Sequence, residues 1–124
     1  MEIRASILPR VLLVDDDVPL LTLLTMCLQG YGFAVTTANK GAEALKQYHA
    51  SHGKYAAIVT DAHMPEMDGL DFLKQVRSQG YKGRLILISG HLSAEELRAY
   101  ADLEISGFFH KPFEPGMLAT MLRA

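Results

Sequence analysis

The sequence predicts an α/β domain: a five-stranded parallel sheet with five helices distributed over its two faces. Short unbroken apolar runs recur along the chain, as in strands that are covered on both sides. Between them lie segments whose apolar residues follow helical spacing. Strand and helix patterns alternate five times with connections of a few residues, and right-handed crossovers then carry helices to both faces.

Residues 1–9 read as a leader and residues 10–124 as one domain, a length sufficient for a single core. RVLLVDDD supplies the first strand, with Val11–Val14 apolar throughout. Asp17 then suits an N-cap, Pro19 falls in the first turn, and Leu20, Leu23, Leu24, Cys27 and Leu28 trace one helical stripe as far as Gly30. FAVTTA at 33–38 mixes apolar and threonine residues like an edge strand. Asn39 is the candidate cap of a second helix marked by Ala44, Leu45 and Tyr48. AAIV at 56–59 is the third strand. After it Pro65 fixes a loop, Asp68 and Gly69 open the third helix, and Phe72, Leu73 and Val76 share one side before Gly80. LILI at 85–88 is the fourth strand, and Ser93 with Glu96 forms a capping box for the fourth helix. ISGFF at 105–109 is a weaker fifth strand, followed by a helix with Leu118, Met121 and Leu122 on its stripe.

Composition removes several classes of function. A net charge of −2 and basic residues scattered along the chain leave no stripe for a phosphate backbone, so nucleic acid is not an expected partner. The apolar stretch Val18–Leu28 is too short to span a bilayer, and the first ten residues lack a signal-peptide pattern. Cys27 is the single cysteine, so no internal disulfide forms; it reads as a core residue in a reducing compartment. A cytoplasmic protein without membrane contact is the expectation.

In open parallel sheets, function gathers beyond the carboxyl ends of the strands. Those ends carry Asp15, Asp16 and Asp17 after the first run, Asp61 after the third, Ser89 and Gly90 after the fourth, and His110, Lys111 and Pro112 after the fifth. Carboxylates gathered in one place repel and raise one another's pKa unless a cation sits among them. Hard oxygen ligands point to Mg²⁺, with Mn²⁺ as a substitute, and away from zinc. Lys111 adds a second positive charge and Ser89 a hydroxyl donor, a set suited to a phosphoryl group in transit. Asp61, alone on its strand, is the candidate nucleophile.

These residues sit in VLLVDDD, VTDAHMPEMDG, LILISG and FFHKPF, four linked motifs in which the chain resembles a response-regulator receiver domain of two-component signalling. The resemblance implies the flavodoxin-like strand order 2-1-3-4-5 and a cis bond from Lys111 to Pro112. It implies that Asp61 is the phosphoacceptor, and that Asp15, Asp16, Asp61 and the backbone carbonyl of His63 hold Mg²⁺. Ser89, Gly90 and Lys111 fall at phosphoryl-binding positions. Phe108 falls at the aromatic switch position, where the missing hydroxyl favours a buried rotamer. The donor would be a histidine kinase or a histidine phosphotransfer protein. An output partner, or a second copy of the chain, would use the face of the fourth helix, fifth strand and fifth helix. Such a domain is no enzyme beyond catalysing its own phosphorylation and dephosphorylation.

His63 and His91 lie two residues beyond Asp61 and Ser89 and are expected to tune the lifetime and pH dependence of the aspartyl phosphate. A transition-metal site from His63, His91 and His110 is disfavoured, because no two share a helix at ligand spacing; His49 and His52 read as solvent-facing. Two rival functions are weighed. A phosphatase of haloacid dehalogenase type would use Asp15 and Asp17 as its D-x-D, with Asp15 as nucleophile, but leaves VTDAHMPEMDG without a role. A docking module that is never phosphorylated would not need so complete a site.

Overall fold

In the computed structural model, which describes residues 8–124, each apolar run becomes a strand and each periodic segment a helix. The order is β1 (Arg10–Val14), α1 (Val18–Gly30), β2 (Ala34–Ala38), α2 (Gly41–Ala50), β3 (Ala57–Asp61), α3 (Gly69–Ser78), β4 (Arg84–Ser89), α4 (Ala94–Ala101), β5 (Gly107–His110) and α5 (Pro115–Arg123). Most of the expected leader, residues 1–7, lies outside the described residues.

All strands are parallel, in the order β2-β1-β3-β4-β5. Because side chains alternate across a strand, the sheet divides the apolar residues into two cores. Leu12, Val14, Ile58, Leu85 and Leu87 meet Ala44 and Tyr48 of α2, Phe72, Leu73 and Val76 of α3, and Tyr100 of α4. Val11, Leu13, Val59, Ile86 and Ile88 face the other way, onto Leu21, Leu24 and Leu28 of α1 and Leu118, Ala119 and Leu122 of α5. Burial on both sides explains why the strands read as continuous apolar runs and not as alternating ones.

Three local expectations change. The inner face of α1 is Leu21, Leu24 and Leu28, whereas Leu23 is 53% exposed. This helix is apolar almost all round, so spacing could not select its buried side. The N-cap of α2 is Lys40, which makes no side-chain cap bond; Asn39 instead donates its backbone N–H to Glu43 Oε1 at 3.0 Å. The fifth strand begins at Gly107, because Ile105 turns inward against the α2/α3 core before the ladder to Ile86 starts.

The other caps form as read. Asp17 accepts from Leu20 N–H, Asp68 from Asp71 N–H, and Ser93 and Glu96 close a complete capping box. Each fixes a helix start in the connection that follows a strand's carboxyl end.

Candidate functional site

β1 and β3 are neighbours, so their ends deliver Asp15 and Asp61 side by side. Asp15 is fully buried; its backbone N–H donates to Ala38 O at 3.2 Å and its Oδ1 accepts from Asp17 N–H at 2.9 Å. Asp61 is 6% exposed, while Asp16 sits at the mouth in solvent. Behind Asp61 the start of α3 presses close: Gly69 N–H donates to Ala62 O at 3.0 Å, and a Cβ on Gly69 would stand 2.4 Å from the Asp61 carbonyl oxygen. Only glycine fits there.

Lys111 enters from the end of β5, tied to β4 by its N–H to Ser89 O at 2.8 Å, and the Lys111–Pro112 bond is cis as expected. Its Nζ lies 2.8 Å from Asp15 Oδ2 and 3.6 Å from Asp61 Oδ2. The shorter contact is a close ion pair, and it is the sole polar contact of the buried Asp15 Oδ2 among the described residues. Burial, then the Asp15 charge, pushes the Asp61 carboxyl up to about 6, against the pull of Lys111. Burial also raises Asp15. For Lys111, burial acts downward, but the bonds and charges of Asp15 and Asp61 outweigh it and the net shift is upward.

Carboxylate oxygens of Asp15, Asp16 and Asp61 lie within 4.8 Å of one another. Three carboxylates offering hard oxygens, two of them buried and sharing a single ammonium group, fit Mg²⁺. Asp17 stands apart from this group, since its carboxylate is exposed and caps α1. The D-x-D of a haloacid dehalogenase phosphatase therefore lacks its second acid.

On the β4 side Ser89 is fully buried. Its hydroxyl donates to His91 O at 2.8 Å and accepts His91 N–H at 3.1 Å, while His63 Nδ1 stands 3.4 Å away. The other nitrogen of His63, Nε2, lies 2.5 Å from Glu96 Oε2. Gly90, His91 and His110 are exposed at the same edge. The Glu96 contact is absent from the sequence reading because its role in the capping box already accounted for that residue.

Phe108 departs from expectation. Its ring is turned outward, 41% exposed, beside a cleft of 310 Å³ lined by Leu87, Leu97, Tyr100, Ile105 and Phe108 itself. Loss of a hydroxyl lowers the cost of burying the ring without making room for it, and the cleft between α4 and β5 stays open.

A doubly wound sheet whose carboxyl edge gathers three aspartates, a serine and a lysine defines a regulatory signalling domain of the two-component class. The chain belongs to the response regulator receiver domain family, whose profile matches residues 11–123. It is 34% identical over 116 residues to the transcriptional regulatory protein PrrA of Mycobacterium tuberculosis, covering 94% of this chain and 49% of PrrA. It is 32% identical to the alkaline phosphatase synthesis transcriptional regulatory protein PhoP of Bacillus subtilis, covering 93% of this chain and 47% of PhoP. The chain thus spans about half the length of these curated relatives. Among solved structures, the chemotaxis protein CheY4 of Vibrio cholerae superposes with a TM-score of 0.84 at 30% identity, covering 94% of this chain and 97% of CheY4. Among the described residues no helix is long and apolar enough to cross a membrane.

Proposed function

We propose that this domain is a phosphorelay switch in which Asp61 takes a phosphoryl group from a phosphohistidine. The observation that supports it best is the unequal sharing of one ammonium group. Lys111 Nζ holds Asp15 at 2.8 Å but Asp61 at 3.6 Å, so Asp61 is the buried carboxylate left free to react. An Asp61 oxygen attacks phosphorus in line, the P–N bond breaks, and the departing imidazole of the donor takes a proton from solvent. Lys111 compensates charge on the phosphoryl oxygens, and the Ser89 hydroxyl exchanges His91 O for one of them. Asp15, Asp16, Asp61 and the backbone carbonyl of His63 would hold Mg²⁺, which when bound supplies further neutralisation of phosphoryl charge. In dephosphorylation a water oxygen joins phosphorus, the acyl–phosphate bond breaks to restore the Asp61 carboxylate, and the water's protons leave with inorganic phosphate.

The donor is a histidine kinase or a histidine phosphotransfer protein, met in the cytoplasm. Ser89 and the outward Phe108 are the residues through which the switch reaches the α4–β5–α5 face. When Ser89 moves, closing the 310 Å³ cleft over an inward Phe108 becomes the favoured state, and an output partner or a second copy of the chain that prefers this state binds better. The test is Mg²⁺-dependent labelling by acetyl phosphate, expected in the native protein and abolished in Asp61→Asn. Beryllofluoride trapped on Asp15 instead of Asp61 would transfer the nucleophile's role and overturn the reading.

A further inference from the structure

Glu96 is used twice. Oε1 accepts the Ser93 N–H at 2.9 Å, as a capping box requires, and Oε2 accepts from His63 Nε2, a residue 33 positions earlier in the chain. A carboxylate offers only acceptors, and both oxygens of Glu96 face a nitrogen, the Ser93 N–H and His63 Nε2. The imidazole must therefore carry its proton on Nε2. In the neutral ring that leaves Nδ1 as a lone pair, and Nδ1 is the atom 3.4 Å from Ser89 Oγ.

We infer that Glu96 is a positioning residue that acts through His63: by fixing the Nε2–H tautomer it turns an acceptor toward Ser89, which competes with the phosphoryl group for the serine proton. The inference rests on the receiver reading above. Ser89 has one proton and two acceptors near it before phosphorylation, His91 O and His63 Nδ1. A third acceptor, the phosphoryl oxygen, must draw that proton away from both. An imidazole of the opposite tautomer would donate Nδ1–H to Ser89 Oγ and leave the hydroxyl proton free for phosphate. The α4 cap thus sets how firmly Ser89 closes on the phosphorylated site.

Glu96→Gln separates this role from helix capping. The glutamine carbonyl can keep the Ser93 N–H, which only an acceptor satisfies, and its NH₂ group then faces His63 Nε2. Nε2 must become the acceptor and the proton passes to Nδ1. Long-range ¹H–¹⁵N NMR correlation of the unphosphorylated protein at about pH 8.5, roughly two units above an ordinary imidazole pKa, reads the tautomer; His63→Gln identifies the resonance. The native protein should show Nε2–H and Glu96→Gln should show Nδ1–H. Glu95→Gln, an exposed neighbour on the same turn, and Ser93→Ala, which weakens the cap but keeps Glu96, should both retain Nε2–H.

After labelling with acetyl phosphate in Mg²⁺, the phosphoryl lifetime of Glu96→Gln should be about fivefold longer than that of Glu95→Gln, the worth of one hydrogen bond. A native Nδ1–H tautomer, a tautomer unmoved by Glu96→Gln, or equal lifetimes in the two glutamine variants overturns the assignment. Absence of any Asp61-dependent label in the native protein overturns the receiver reading and this inference together, whereas normal labelling with an unmoved tautomer overturns this inference alone.

Discussion

The carbonyl oxygen of Asp61 and the α-carbon of Gly69 are packed so closely that a methyl group on residue 69 would lie 2.4 Å from that oxygen. The contact is backbone on backbone, so no side-chain rotation relieves it. Gly69→Ala must push either the end of β3 or the start of α3, and Asp61 is the last residue of β3. We expect a stability loss of about 1–3 kcal/mol in urea denaturation. Acetyl phosphate labelling should fall by more than tenfold, since misplacing a reacting group by about 1 Å costs on the order of a hundredfold. Labelling at the native rate would show that the displacement is absorbed by α3.

Lys111 opposes both the repulsion of Asp15 and Asp61 and the approach of any cation to them. Lys111→Met keeps the length of the stem and removes the charge. Mg²⁺ should then bind more tightly, by about tenfold for one unit charge removed at an effective dielectric near 20–80, while phosphoryl transfer slows by about a hundredfold for loss of one charged donor. Titration with Mg²⁺ against the labelling rate separates the two effects. Parallel losses of affinity and rate would assign Lys111 a structural role.

The pH dependence of the metal-free protein follows from Asp61. Its carboxyl is raised from 3.8 to about 6 by burial and by Asp15, so the folded state holds its proton more firmly than the unfolded chain. That contribution to stability is complete below pH 4 and is lost as the pH rises through about 6. Stability without metal should therefore fall between pH 4.5 and pH 7, by about 2 kcal/mol before other groups are counted, and the melting temperature should fall with it. Asp61→Asn should flatten this part of the profile. A native profile that rises across that window would place the Asp61 pKa below its ordinary value.

Legibility in the sequence followed the locality of the interaction. Strand and helix existence, the Asp17, Asp68 and Ser93 caps and the acidic strand ends are short-range facts that spacing reveals. Spacing does not select the buried side of α1, because Leu20, Leu21, Leu23 and Leu24 are all apolar and only packing against the sheet distinguishes Leu21 from Leu23. The strand order came from resemblance, since connection lengths do not state it. The join of Glu96 to His63 is a contact across 33 residues, and Glu96 already had a sufficient local explanation. The outward ring of Phe108 goes with the open cleft between α4 and β5, a spacing between elements that no local pattern states.

Arg77 anchors the carboxyl end of α4. From α3 its Nε donates to Leu103 O at 2.8 Å, Nη1 to Tyr81 O at 2.8 Å and Gly83 O at 2.9 Å, and Nη2 to Glu104 O at 3.2 Å. Four carbonyls from two loops are thus gathered by one planar group, a geometry an ammonium cannot reproduce. Leu103 and Glu104 follow the end of α4, and Glu104 has a positive φ of 56° that the clamp helps to hold. The carboxyl end of α4 is therefore fixed to α3, while its amino end is tied through Glu96 to His63. Arg77→Lys should cost about 2 kcal/mol through carbonyls left without donors. Hydrogen exchange should quicken at residues 103–106, while the amides at the start of α4 keep native protection because the Ser93–Glu96 box is untouched. Uniform acceleration over the whole of α4 would show that the helix responds as one body and not about its Arg77 end.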